Sequence, residues 1–73
     1  MISLHEIPFG KAMTVVRVSG DYAVKRRIMD MGITKGASIT VRKAAPLGDP
    51  LEITVRDYLL MIRKADAKNI IVE

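Results

Sequence analysis

The sequence predicts a mostly β fold, with about five short strands and one inserted helix curled into a small barrel. Three observations predict it. Two segments alternate strictly between apolar and polar residues. Ser38–Lys43 sets Ile39 and Val41 against Ser38, Thr40 and Arg42, and Leu51–Arg56 sets Leu51, Ile53 and Val55 against Glu52, Thr54 and Arg56. A third segment, Tyr22–Met31, carries Val24, Ile28 and Met31 at helical spacing against a polar remainder of Lys25, Arg26 and Asp30. Closure of the short strands into a barrel then removes the apolar edges that two flat sheets would expose.

Each element has its own justification. Leu4 and Ile7, three residues apart, predict a single turn that packs down before the loop Pro8-Phe9-Gly10. Thr14–Val18 is β-branched and reads as the first strand, closed by Gly20. Asp21 is placed to cap the helix, because its carboxylate can accept a bond from an amide of the first turn. Gly32 sits at the helix C′ position, where a left-handed backbone costs glycine no Cβ clash, and Ile33 then returns towards Ile28. Pro46-Leu47-Gly48-Asp49-Pro50 supplies the turn between the two alternating strands. Asp57 fits a tight turn at positive φ, and Tyr58–Arg63 reads as a further strand. Lys64–Asn69 reads as a helical turn and Ile70–Val72 as the closing strand.

Seventy-three residues make a single domain, residues 1–73, which buries only about 60% of its unfolded surface. Without cysteine it has no disulfide or thiolate-bound metal to staple it, so an apolar content of 49% must build the core. No apolar run approaches the ~20 residues that cross a bilayer, and no charged leader precedes one, so a cytoplasmic location is expected. The net charge of +4, from twelve cations and eight anions, suits an acidic partner, anionic headgroups or nucleic acid. It equally describes an ordinary solvated surface.

The residue set argues against chemistry. Ser3, Ser19 and Ser38 have no base nearby in sequence, so no catalytic residues are assigned and the chain is expected not to be an enzyme. The five glycines are single and fit no phosphate-cradling loop, so the chain does not hydrolyse GTP alone. Ferrous iron needs several grouped imidazole and carboxylate ligands. Here His5 and Glu6 stand alone, and Asp49, Glu52, Asp57 and Asp66 are scattered, so neither a metal site nor a cofactor is expected. What remains is a surface. Lys25, Arg26 and Arg27, joined by Arg42 and Arg56, form the candidate docking face, steering an acidic partner and offering bidentate carboxylate contacts. The bland alternative is a solvated helix face with Arg27 paired to Asp30 at i, i+3. Met29 lies at the edge of the apolar stripe beside the cations, where a flexible thioether suits protein binding or covers the core rim.

Two stretches go further than pattern. Lys25–Gly36, KRRIMDMGITKG, and Ala45–Arg56, APLGDPLEITVR, together with Leu60-Met61-Ile62-Arg63-Lys64 and the final Ile-Ile-Val, resemble the FeoA family along nearly the whole chain. One departure is Asp57, where this family often carries glycine. The resemblance implies an SH3-like barrel and an accessory or regulatory role in ferrous-iron uptake, through interaction with the transporter FeoB at its cytosolic GTP-binding domain or its permease. Iron would then pass through the partner, and Arg26 or Arg27 could serve as an arginine finger in trans. The same fold closes the C-terminus of some metal-dependent repressors, an alternative role for a regulatory barrel of this kind. A nucleic-acid-binding barrel is the other alternative, against which only Phe9, Tyr22 and Tyr58 are aromatic and none interleaves with cations. Direct membrane insertion is not expected, and Tyr22–Met31 is short for a membrane-surface helix. Short edges and exposed methionines permit a weak homo-oligomer without requiring one.

Overall fold

The computed structural model describes all 73 residues. The chain runs β1 (Ile2–Ser3), a single 3-10 turn (Leu4–Glu6), β2 (Ala12–Val18), α1 (Tyr22–Asp30), β3 (Ser38–Ala44), β4 (Leu51–Val55), β5 (Tyr58–Ile62), α2 (Lys64–Ala67) and β6 (Ile70–Val72). Six strands therefore stand where about five were expected. The extra one, β1, has two residues, too few to show alternation, and exists because Ile2 and Ser3 pair with Val72 and Ile71. The sheet is antiparallel throughout, in the order β1-β6-β2-β3-β4-β5, and no ladder joins its end strands β1 and β5.

Strand β2 bends the sheet. Its first half, Ala12 to Thr14, pairs with Thr40 to Ser38 of β3. Its second half pairs with β6, Val15 opposite Val72 and Val18 opposite Ile70, with a register shift between Val15 and Arg17. Such a bulge adds a residue on one strand, bends it and sharpens the local twist. A second shift, between Val41 and Lys43, leaves Arg42 outside the β3–β4 register.

The interior is wholly aliphatic. Fifteen residues are buried, none of them polar, charged or aromatic. Ile39 and Val41 of β3 meet Leu51, Ile53 and Val55 of β4, Ile70 and Val72 of β6, and Leu4 and Ile7 around the first turn. The strict alternations thus point inward as expected. Helix α1 contributes one fully buried side chain, Ile28, so that residue holds the helix to the sheet. Its start is capped, the Val24 N–H donating to Asp21 Oδ1 at 2.9 Å. Its end closes with the Gly32 N–H on the Met29 carbonyl at 2.9 Å, and Gly32 takes φ 88°, which delivers Ile33 into the core.

Two connections matter for stability. In the loop after β3, the Ala45 N–H bonds the Pro50 carbonyl and Asp49 Oδ1 accepts the Lys64 N–H at 3.0 Å. Arg63, at the N-cap of α2, makes no side-chain bond, so Asp49 caps that helix from fifteen residues away. The β4–β5 turn is two residues long, with Arg56 at φ 48° and Asp57 at φ 74°. Both residues are left-handed, as in a type I′ hairpin, where Asn-Gly is the favoured pair. Asp57 behaves as expected, whereas Arg56 is a long side chain in a conformation that costs it free energy.

Removing the remote cap with Asp49→Ala is expected to lower stability by about 1 kcal/mol, read as a shift in urea midpoint at unchanged slope. The pair Arg56→Asn with Asp57→Gly is expected to raise stability by about 1 kcal/mol in the same assay.

Candidate docking groove

The six candidate residues do not share one face. Arg26 donates to Asp30 at 3.3 Å and to the Tyr22 hydroxyl at 3.1 Å, both within its own helix. Arg27 reaches the other way, its guanidinium donating to both oxygens of Asp66 on α2, at 2.6 and 3.4 Å. The Arg27–Asp30 pair of the alternative reading is replaced by Arg26–Asp30 and Arg27–Asp66. At i, i+4 Arg26 has the better reach to Asp30, and no local spacing announces a partner 39 residues away. Hydrogen bonding and charge from Asp66 hold the Arg27 pKa above its ordinary value. Arg27 thus joins the two helices. Arg42 lies on the outer face of the sheet, where it shares Glu52 with Lys43 at 3.4 and 3.9 Å. Arg56 donates to Thr34 Oγ1 at 3.0 Å, spanning from the hairpin turn to the segment after α1.

Lys25 and Met29 do come together, in a groove between α1 and β2. Val16, Val18 and Met29 form its apolar part, and Arg17, Lys25, Thr34 and Lys35 complete the lining. Met29 is about half exposed. Arg17, Lys25 and Lys35 take part in no ion pair within the chain, so their charges remain available. Thr34 is the hydroxyl that holds Arg56, which sets a fourth cation beside this groove. The β2 bulge explains the composition. With Val15 buried, alternation turns Val16 outward, and the register shift between Val15 and Arg17 leaves Arg17 outside as well, so both line the groove. Val16, Arg17, Val18 and Lys35 escaped the sequence reading. The signal was there in the adjacent Val15-Val16, since neighbours in a regular strand point to opposite faces.

Other surfaces carry less. A shallow polar depression over β3 and β4 is lined by Gly10, Thr40, Arg42, Lys43, Glu52 and Thr54, and Glu52 neutralises part of its charge. No three His, Cys, Asp or Glu side chains gather as metal ligands would. His5 is half-buried, with Nδ1 enclosed and without a hydrogen-bond partner. Ser3 and Ser19 donate to the carbonyls of Lys68 and Asn69. No helix is long and apolar enough to cross a membrane.

Residues 2–73 match the family model described as the FeoA domain. The chain belongs to the FeoA family. It is 40% identical over 70 residues to a fusion of Fe(2+) transport protein A with the Fe(2+) transporter FeoB from Porphyromonas gingivalis, which links the family to ferrous-iron transport. That match covers 96% of this chain and 8% of the fusion protein, so the chain spans a small part of that relative. Among solved structures, the FeoA-like protein of Clostridium acetobutylicum superposes with a TM-score of 0.91 at 40% identity, over 99% of this chain and 84% of that one. The FeoA of Stenotrophomonas maltophilia complexed with zinc, described as a procaryotic SH3 domain protein, gives 0.84 at 26% identity over 100% and 91%. The fold is thus SH3-like, as the family resemblance implies. The structure of ScaR with bound Zn2+ matches at a TM-score of 0.86 and 16% identity, which is a likeness of fold alone.

The Arg27–Asp66 contact yields a check on the division between structural and available cations. Asp66→Ala is expected to lower the urea midpoint slightly, with the loss fading at high salt because the arginine is solvent-exposed.

Proposed function

We propose that this protein is a non-enzymatic accessory of ferrous-iron uptake, which acts by docking on the cytosolic part of a FeoB-type transporter through the α1–β2 groove. The groove itself carries the reading. It couples an exposed thioether and two valines to three cations with no partner inside the chain. Such a surface suits a segment that inserts an apolar side chain and flanks it with carboxylates. The FeoA–FeoB fusion in Porphyromonas gingivalis supports the choice of partner, since two functions encoded on one chain act in one place.

The reading assigns a division of labour. Met29 with Val16 and Val18 supplies the area removed from water, and Lys25, Arg17 and Lys35 speed the encounter and orient it. Arg26 and Arg27 already hold Asp30 and Asp66, so neither is free to reach a nucleotide without giving up that partner. The protein accordingly acts on the transporter by contact, with the iron carried by the partner.

Met29→Asp is expected to leave the far-UV circular dichroism and melting temperature native and to weaken binding to the purified transporter about tenfold or more. Titration calorimetry against the soluble GTP-binding domain and the full-length transporter reads this directly. Unchanged affinity with an intact fold refutes the groove. Lys25→Glu combined with Lys35→Glu is expected to slow association and flatten its salt dependence.

A further inference from the structure

Strand β5 is an end strand of the sheet, and its free side makes no backbone hydrogen bond. Tyr58, Leu59 and Met61 are 71%, 60% and 54% exposed. Natural sheets guard such an edge with lysine, proline, a bulge or a covering segment. Between Tyr58 and Ile62 there is no charge and no proline, and the β4–β5 register is unbroken.

The hairpin fixes which groups face outward. In a two-residue hairpin the closing pair, here Val55 and Tyr58, exchanges both of its hydrogen bonds, and bonded pairs then alternate. Tyr58, Leu60 and Ile62 therefore spend their amides and carbonyls on β4, and those of Leu59 and Met61 point to the open edge. We propose that β5 pairs antiparallel with β5 of a second copy of this chain, about a two-fold axis at Leu60. That register sets Leu59 against Met61 twice, which uses all four outward groups in four hydrogen bonds. It stacks the exposed Leu59 and Met61 side chains on each other across the joint. One step further out it brings Asp57 of each copy to Arg63 of the other. Neither residue has an ion pair within its own chain.

Neighbouring registers of the same parity do worse. With the axis at Leu59, Met61 must pair with Asp57, which sits in the left-handed turn. With the axis at Met61, Leu59 must pair with Arg63, whose carbonyl already accepts the N–H groups of Asp66 and Ala67. The register at Leu60 is the self-complementary one. A five-residue edge buries less than the ~1,200 Å² of a standard interface, so the dimer is weak, with a dissociation constant on the order of 100 μM. The β5 edge is separate from the α1–β2 groove, and the dimer stands whether or not that groove binds a transporter.

Sedimentation velocity over rising concentration, with amide NMR on the same samples, tests the dimer. The unmodified chain is expected to shift from monomer to dimer as the Leu59 and Met61 amides move together. The variant L59K/M61K, and separately L59E/M61E, are expected to stay monomeric with native far-UV circular dichroism. An equimolar mixture of the two is expected to form a heterodimer, because each lysine then faces a glutamate. A wild-type chain that stays monomeric near millimolar concentration overturns the proposal, as does L59K/M61K associating like wild type. So does a monomer whose Leu59 and Met61 amides move only when a segment of the transporter is added, which would make the edge a site for that partner instead.

Discussion

Strand β2 has two partners, pairing in register with β3 up to Thr14 and with β6 from Val15 onward, and that hand-over governs much of the rest of the molecule. β2 is the one strand that joins the β1–β6 pair to the β3–β4–β5 ladder, with β6 on one edge and β3 on the other. Through it, one sheet of six strands bends around one aliphatic core. Within the half paired to β6, the register shift between Val15 and Arg17 leaves Val16 and Arg17 both lining the groove beside α1. The strand that joins the sheet therefore also lines its most distinctive surface. This is the usual company of a bulge, which re-aims a side chain where pairing is interrupted.

Charge divides the surface in a comparable way. Of twelve lysines and arginines, four (Arg26, Arg27, Arg42 and Lys43) are in ion pairs, leaving eight without one. The paired ones tie α1 to itself and to α2, or flank Glu52 on the sheet. Those bordering the groove are among the unpaired. Half of the eight unpaired cations, Arg17, Lys25, Lys35 and Arg56, lie at or beside the apolar opening between α1 and β2. Steering and contact area coincide there.

How much of this was legible in the sequence depends on range. Local rules read well: the alternation of β3 and β4, the Asp21 cap, the left-handed Gly32 and Asp57, and the turn at Leu4 all stand as expected. Contacts set by tertiary neighbours did not. Arg27 finds Asp66 and Asp49 finds Lys64 only because the fold brings α2 back beside α1 and the β3–β4 loop. Strand β1 is defined by its partner rather than by its own two residues. In the groove, Lys25 and Met29 were visible from the helical wheel. The outward Arg17 was hidden, because a bulge follows from pairing rather than from composition, and Lys35 joins the groove only through the tertiary placement of the segment after α1. The left-handed Arg56 was hidden for a related reason, since the length of the hairpin, not the preference of arginine, dictates its φ.

The aliphatic interior has a practical consequence. There is no tryptophan, and Phe9, Tyr22 and Tyr58 all lie on the outside, 60%, 76% and 71% exposed. Aromatic absorbance and fluorescence are therefore nearly blind to whether Ile28, Ile39 and Val72 are well packed. The rings instead mark two separate exterior regions. Tyr22 sits on α1 within reach of Arg26, and Tyr58 opens the free edge of β5. The chain carries its optical labels on its exterior and none in its core.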